Sequence, residues 1–204
     1  MSVLDHIVHL LMAVILIVGG YQFYFLVQRS HFGEPIEFAS RIEDKIPFRP
    51  EWVWIYSGLY YPVILLLVFT IKTFAQFSYT VFSFITLLVM QLFAFFFFPV
   101  KIPARWRDYD RGRSLSARFL GLVHSYDGLP NSIPSMHVSV STLAAFHLNQ
   151  NLSVDNSAFS LLSFLFPLLI AISALFTKQH YIVDLGPGAL LGYVNYKIYL
   201  LLSP

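Results

Sequence analysis

The sequence predicts an all-α fold: a polytopic membrane protein of six transmembrane helices in a bundle, with its active site at one membrane face. Three observations carry this expectation. Of 204 residues, 57% are hydrophobic and only 12% charged, more apolar surface than a soluble domain of this length can hide. The apolar residues fall into six separate runs, each approaching the roughly 20 residues that span a hydrocarbon core. The polar groups with chemical potential gather at one end of the predicted helices.

In chain order the runs are 7–28, 51–71, 78–100, 135–150, 158–177 and 181–202. The first is too long for the core of a secretory signal, and no cleavage site of A-x-A type follows it, so a retained span is expected. The second opens on Trp52, Trp54, Tyr56, Tyr60 and Tyr61, rings that favour the membrane–water boundary. The third is the purest and ends in Phe95-Phe96-Phe97-Phe98-Pro99. The fourth is the shortest and most polar, with Ser139, Ser141, Thr142 and His147, and should be shielded from lipid by its neighbours. Six spans put both termini on one side. No repeat or linker divides residues 1–204, so a single domain is expected.

Cysteine is absent, which excludes disulfides and Cys-based nucleophiles or metal sites. Eleven of the 13 cationic residues fall in segments 29–50, 101–134 and 178–180, and Lys72 and Lys197 lie opposite. The positive-inside rule makes the basic face cytoplasmic. Cations that serve an anionic substrate or lipid headgroup would bias that count.

Three polar groupings carry the chemistry. Asn131-Ser132-Ile133-Pro134-Ser135-Met136-His137 leads into the fourth span. Ser135 suits an N-cap, and the backbone N–H groups of Met136 and His137 would then point out of the helix end, an arrangement suited to phosphate oxygens. His180 and Asp184 stand four residues apart at the mouth of the sixth span, on one helical face. A carboxylate there fixes the imidazole tautomer and frees the second nitrogen as a nucleophile or base. Lys101, Arg105 and Arg107 follow the third span on the same side and could clamp phosphoryl oxygens. Alone, each grouping reads more simply as an interfacial or topogenic feature. Together they supply a nucleophile, an orienting carboxylate, an acid and cations.

These residues resemble the type 2 phosphatidic acid phosphatase superfamily, the lipid phosphate phosphatases and related phosphotransferases. Pro134-Ser135-Met136-His137 is similar to the family's second block, and His180 with Asp184 to the end of its third, followed by Gly186 and Gly188. Asp44-Lys45-Ile46-Pro47-Phe48-Arg49-Pro50 is similar to a segment of the inositol-phosphorylceramide synthase-like branch. The resemblance implies that His180 attacks phosphorus to form a phosphohistidine, that Asp184 orients it, and that His137 protonates the leaving alcohol. It implies no metal and no cofactor.

Two positions depart from the family pattern. Ala174 stands where the third block has its phosphate-binding arginine, and Lys178, one helical turn on, is the candidate replacement. The first block's spacing would put its arginine at Asp108, so Lys101 with Arg105 or Arg107 is the expected counterpart.

The leading expectation is a lipid phosphatase acting on a phosphate or diphosphate monoester. A lipid phosphotransferase using the same three residues is the alternative, and a non-catalytic lipid-binding or transport protein is the alternative from another class. The expected partners are a phosphorylated membrane lipid and the bilayer itself, with no nucleic acid. The expected location is the inner membrane of a bacterium, and the resemblance places the active site on its extracytoplasmic face. Neither the oligomeric state nor the particular lipid is encoded in a readable motif.

Overall fold

In lipid, backbone N–H and C=O groups find no water and must bond within their own segment, so long apolar runs become helices. The computed structural model describes residues 2–38, 41–128, 132–152 and 157–203 and is mostly helical. Asn131, which opens the block leading to His137, lies outside the described residues.

Helix α1 spans Val3–Arg29, started by a capping box in which Ser2 and Asp5 satisfy each other's backbone N–H groups. A short strand β1 (Ile36–Glu37) and a one-turn helix α2 (Arg41–Lys45) follow. A rod over Pro50–Thr70 begins as a 3-10 turn at Pro50–Trp52, widens into a π-helical turn over Trp54–Leu59, and continues as α3 (Tyr60–Thr70). Helix α4 (Phe74–Phe97) starts on Thr73, whose side chain accepts the Gln76 N–H. Among the described residues, four helical stretches are long and apolar enough to cross a membrane: Val3–Arg29, Pro50–Thr70, Phe74–Phe97 and Ala158–Phe176.

Residues 101–134, expected as a loop, contain more structure. Strand β2 (Val100–Lys101) pairs in parallel with β1, Ile36 opposite Val100 and Glu37 opposite Lys101. A 3-10 turn over Ala104–Arg107 follows. Helix α5 (Leu115–Tyr126) is capped by Ser114 and buries Ala117, Leu120, Gly121 and His124 on one face. At 12 residues it is too short to span, and it packs against the 3-10 turn at Pro50–Trp52.

Helix α6 (Met136–Leu152) lies at the centre, packed on α3, α4, α7 (Ser157–Phe176) and α8 (Ile182–Leu202). Ser139, Ser141, Leu143, Ala144 and Ala145 are completely buried, which explains how the most polar run is tolerated. Its small side chains let neighbouring backbones approach. The closest approach is to α8. A Cβ added at Gly188 would meet the Ser135 carbonyl oxygen at 2.7 Å, and one at Gly192 would overlap the Ser139 carbonyl. Gly186 has open space around it. Gly188 and Gly192 are thus the small-xxx-small pair that brings the start of α8 against the start of α6.

Gly188→Ala should therefore lower stability by about 1–3 kcal/mol, as overpacking of a tight contact does. Gly186→Ala should change it little. Thermal unfolding of the two variants in one detergent checks the difference, and equal midpoints would contradict the close-approach account.

Candidate active site

The α6–α8 contact joins two helix starts. The Ser135 N–H donates to the Asp184 carbonyl at 3.0 Å, and the His137 and His180 rings come to 6.4 Å between centroids. Both rings line a cavity of about 420 Å³, together with Arg107, Ser132, Gln179 and Asp127.

His180 is 5% exposed and held on one side. Its Nδ1 lies 2.9 Å from the Ser132 carbonyl and 3.3 Å from Asp184 Oδ2. A carbonyl oxygen can only accept, so Nδ1 carries the hydrogen and Nε2 keeps its lone pair. Asp184 is completely buried, and the same Oδ2 accepts the Tyr181 N–H at 2.8 Å, which ties the carboxylate to the first turn of α8. The α8 start is held from behind by Glu43, whose Oε1 accepts the Ile182 N–H at 3.3 Å.

His137 sits in the first turn of α6. The π-helical turn Trp54–Leu59 swings Tyr56 onto it, with ring centroids 4.1 Å apart and the Tyr56 hydroxyl 2.9 Å from Nδ1. Such turns often mark functional positions in helices. Tyr60 packs against the ring at 4.5 Å. Ser135 is buried, and its hydroxyl accepts the Val138 N–H at 3.4 Å, so it caps the helix rather than facing the cavity. Met136 lines the cavity beside His137.

The cations separate. Arg107 reaches the cavity and is gripped by main-chain carbonyls at the end of α5: Nη1 donates to His124 at 3.0 Å and to Asp127, and Nη2 donates to Gly128 at 3.1 Å. Arg105 turns outward to Asp44 at 3.1 Å and Glu37 at 4.0 Å, an exposed arrangement worth little. Lys101 lies in β2 and lends its carbonyl to the Tyr181 hydroxyl at 3.0 Å. Lys178 donates to the Glu43 carbonyl and lies 5.1 Å above the Trp106 ring. It also ends α7. With φ at 57° it occupies the left-handed region, while its N–H bonds to Leu175 and that of Gln179 to Ala174, the pattern of a Schellman terminus. Lys101, Arg105 and Lys178 do not line the cavity that holds the two histidines. Ala174 is completely buried.

The sequence pattern of the PAP2 superfamily matches residues 41–198, most of the chain and all of this site. The chain belongs to the PAP2 superfamily. Membership supports phosphatase- or phosphotransferase-type activity in general. An uncharacterized protein of Methanocaldococcus jannaschii is 38% identical over 65 residues, which cover 32% of this chain and 25% of that protein. The chain thus spans about a quarter of the length of that curated relative. No solved structure matches the chain significantly.

Gln179, Ser132 and Asp127 of this PAP2 site were not among the site residues proposed from the sequence, whereas Arg107 was. Gln179 Nε2, Ser132 Oγ and Arg107 Nε are buried without a protein partner among the described residues, and all three residues line the cavity. Orphan donors are rare in proteins and call for an anion or other acceptor. Gln179 was legible only as the residue before His180. Asp127, which accepts from the Tyr24 hydroxyl of α1, carried no motif at all. Among the described residues, no three His, Asp or Glu side chains converge into a metal-binding group.

Behind Arg107, His124 is buried against Tyr109, whose hydroxyl is 3.2 Å from Nδ1. Burial, then Arg107 and Arg111, push its imidazole down to about 3. The unfolded chain takes up a proton near pH 6.5, where His ordinarily titrates, and the folded chain resists it down to about 3. Stability from this group is therefore present above pH 6.5 and lost as pH falls toward 3. His124→Gln should flatten the fall in unfolding temperature between neutral pH and about pH 4.5, within the window where the two states differ. An unchanged slope would contradict this.

Proposed function

We propose that the protein is a membrane lipid phosphatase that cleaves a phosphate or diphosphate monoester through a phosphohistidine. The observation that carries the reading is the tautomer of His180. With Nδ1–H donated to Ser132 and Asp184, Nε2 is left as a nucleophile facing a cavity of unpaired donors. Nε2 attacks phosphorus, and the bond from phosphorus to the lipid oxygen breaks. His137 gives that oxygen its proton. The Tyr56 hydroxyl can accept from Nδ1, so His137 can carry both protons before the transfer. Neutral His137 then takes a proton from water as the water attacks the phosphohistidine, releasing phosphate and restoring His180.

The phosphate oxygens are assigned to Arg107, Gln179 and Ser132. Of the other cations proposed from sequence, Arg105 and Lys178 are assigned to structural pairs with Asp44 and with the Glu43 carbonyl, and Lys101 to β2 outside the cavity. The reaction on this reading needs no metal and persists in EDTA. α6 and α8 complete a six-span bundle with the four long apolar helices, in the inner membrane of a bacterium. The resemblance of the three blocks supports an extracytoplasmic site.

A second reading, transfer of the phosphoryl group to an alcohol, is favoured by Asp127. Asp127 lines the same cavity, and its second carboxylate oxygen, not the one bonded to Tyr24, can hold the hydroxyl of an alcohol acceptor. Purified protein given a labelled lipid phosphate should release free phosphate if it hydrolyses. Label confined to a second lipid establishes transfer instead.

His180→Ala should abolish turnover of either kind, and retained activity would remove the nucleophile assignment. Arg107→Ala should lower kcat/KM by about a hundredfold or more, the scale for losing a preorganised charge contact. Gln179→Ala should lower it about tenfold, as loss of a hydrogen bond to a charged group does. Arg105→Ala should stay within about twofold, as expected for an exposed pair. A large effect at Arg105 with none at Arg107 would reverse the assignment.

A further inference from the structure

A second cavity, of about 480 Å³, lies deeper in the bundle, walled by α1, α3, α4 and α6. Its walls are almost wholly aliphatic and aromatic. Two of the few polar side chains there, Gln91 and Ser139, are occupied with each other, the Ser139 hydroxyl donating to Gln91 at 3.1 Å. It adjoins the histidine cavity: Tyr21, Tyr61 and Met136 line both. The Tyr21 and Tyr61 hydroxyls bond to one another at that junction. Chemistry changes there from buried donors on one side to hydrocarbon on the other, the boundary that amphipathic tyrosine rings favour.

We infer that the deeper cavity holds the hydrocarbon chain of the lipid whose phosphate reacts at His180, and that α1 is the wall that selects chain length. The inference rests on the phosphatase reading and specifies its substrate: a lipid whose chain enters the bundle rather than remaining in the bilayer. Three features support this occupant. A water-poor apolar chamber between membrane helices accepts hydrocarbon and rejects polar groups. Its position against the histidine cavity, across Tyr21, Tyr61 and Met136, would let one molecule place its chain here and its phosphate at His180. Helix α1 lies outside residues 41–198, so this wall is not part of the matched superfamily pattern. Gly19 and Gly20 bring the α1 backbone itself to the chamber wall. A Cβ at Gly19 meets nothing within 4 Å, so a larger side chain there has room to project.

The test uses the purified full chain in detergent with butyl, dodecyl and hexadecyl phosphate, reading phosphate release. The native chain should show kcat/KM rising from butyl to hexadecyl phosphate. Gly19→Phe should lower kcat/KM for hexadecyl phosphate by about tenfold or more, because each methylene excluded from an apolar pocket carries a several-fold penalty. It should leave butyl phosphate within about twofold of the native rate, since only the chain site is blocked. Ala13→Phe, on the same wall, should act alike and guards against a Gly19 variant that fails to fold. Val18→Phe, on the outward face of α1, should change neither substrate. Equal loss on both substrates in folded variants, no loss on either, or no chain-length preference in the native protein would overturn the chain-site inference. Failure of the native protein to cleave any of the three would instead overturn the phosphatase reading, and the chain site with it.

Discussion

The contact on which the rest depends is the backbone approach of α6 and α8. Gly188 and Gly192 remove two side chains where the Ser135 and Ser139 carbonyls need the space. The gain is geometric. At that separation the Ser135 N–H reaches the Asp184 carbonyl, so the entrance of one helix is bonded to the entrance of the other. His137 and His180 are then fixed relative to one another by the main chain, not by flexible side-chain packing. On the proposed mechanism the two rings act on opposite sides of one phosphorus atom and need that kind of precision, because small displacements carry large rate penalties.

Around this contact the remaining elements act as supports. The π-helical turn ahead of α3 delivers Tyr56 to His137, and Glu43 of α2 caps the start of α8. The Schellman turn at Lys178 reverses the chain so that Gln179 and His180 both reach the cavity. Lys178 holds this turn in a backbone region where glycine is the usual occupant, and its amine is anchored on Glu43 and Trp106. These links tie segment 41–50, remote in sequence, to the segment that carries His180.

Much of this was legible in the residues and some was not. Apolar runs near the spanning length located α1, α3, α4, α6, α7 and α8 because burial in lipid leaves the backbone few alternatives. The polarity of 135–150 announced a shielded helix, and α6 is central. His180 and Asp184 are in contact as their spacing of four implies. Helix α5 was missed because its apolar residues form one face of a short segment rather than a run. The distinction between Arg105 and Arg107 was invisible, since two residues apart in a 3-10 turn they point to different surroundings. Gln179 and Ser132 lacked any signal, because a donor's value depends on whether folding leaves it without a partner.

The side chains at the cavity share one further property: main-chain dipoles position them more than counter-ions do. Arg105 is neutralised by Asp44 and Glu37 and so offers little field to an incoming anion. Arg107 is held by three carbonyls instead, while the carboxylate of Asp127 is occupied by Tyr24. Carbonyls fix a guanidinium in place without cancelling its charge. In a cavity lined by Tyr24, Phe25 and Phe119, screening is weak, so the guanidinium acts strongly on anything negative that enters. His180 follows the same design, with a carbonyl at 2.9 Å closer to Nδ1 than the carboxylate at 3.3 Å. The carbonyl dictates which nitrogen is protonated, and in the proposed reaction Asp184 supplies the negative charge that balances the ring as it bonds to phosphorus. A site built this way keeps buried donors unpaired at rest, and they are satisfied only when an acceptor enters, which makes the bound anion the missing member of the hydrogen-bond network.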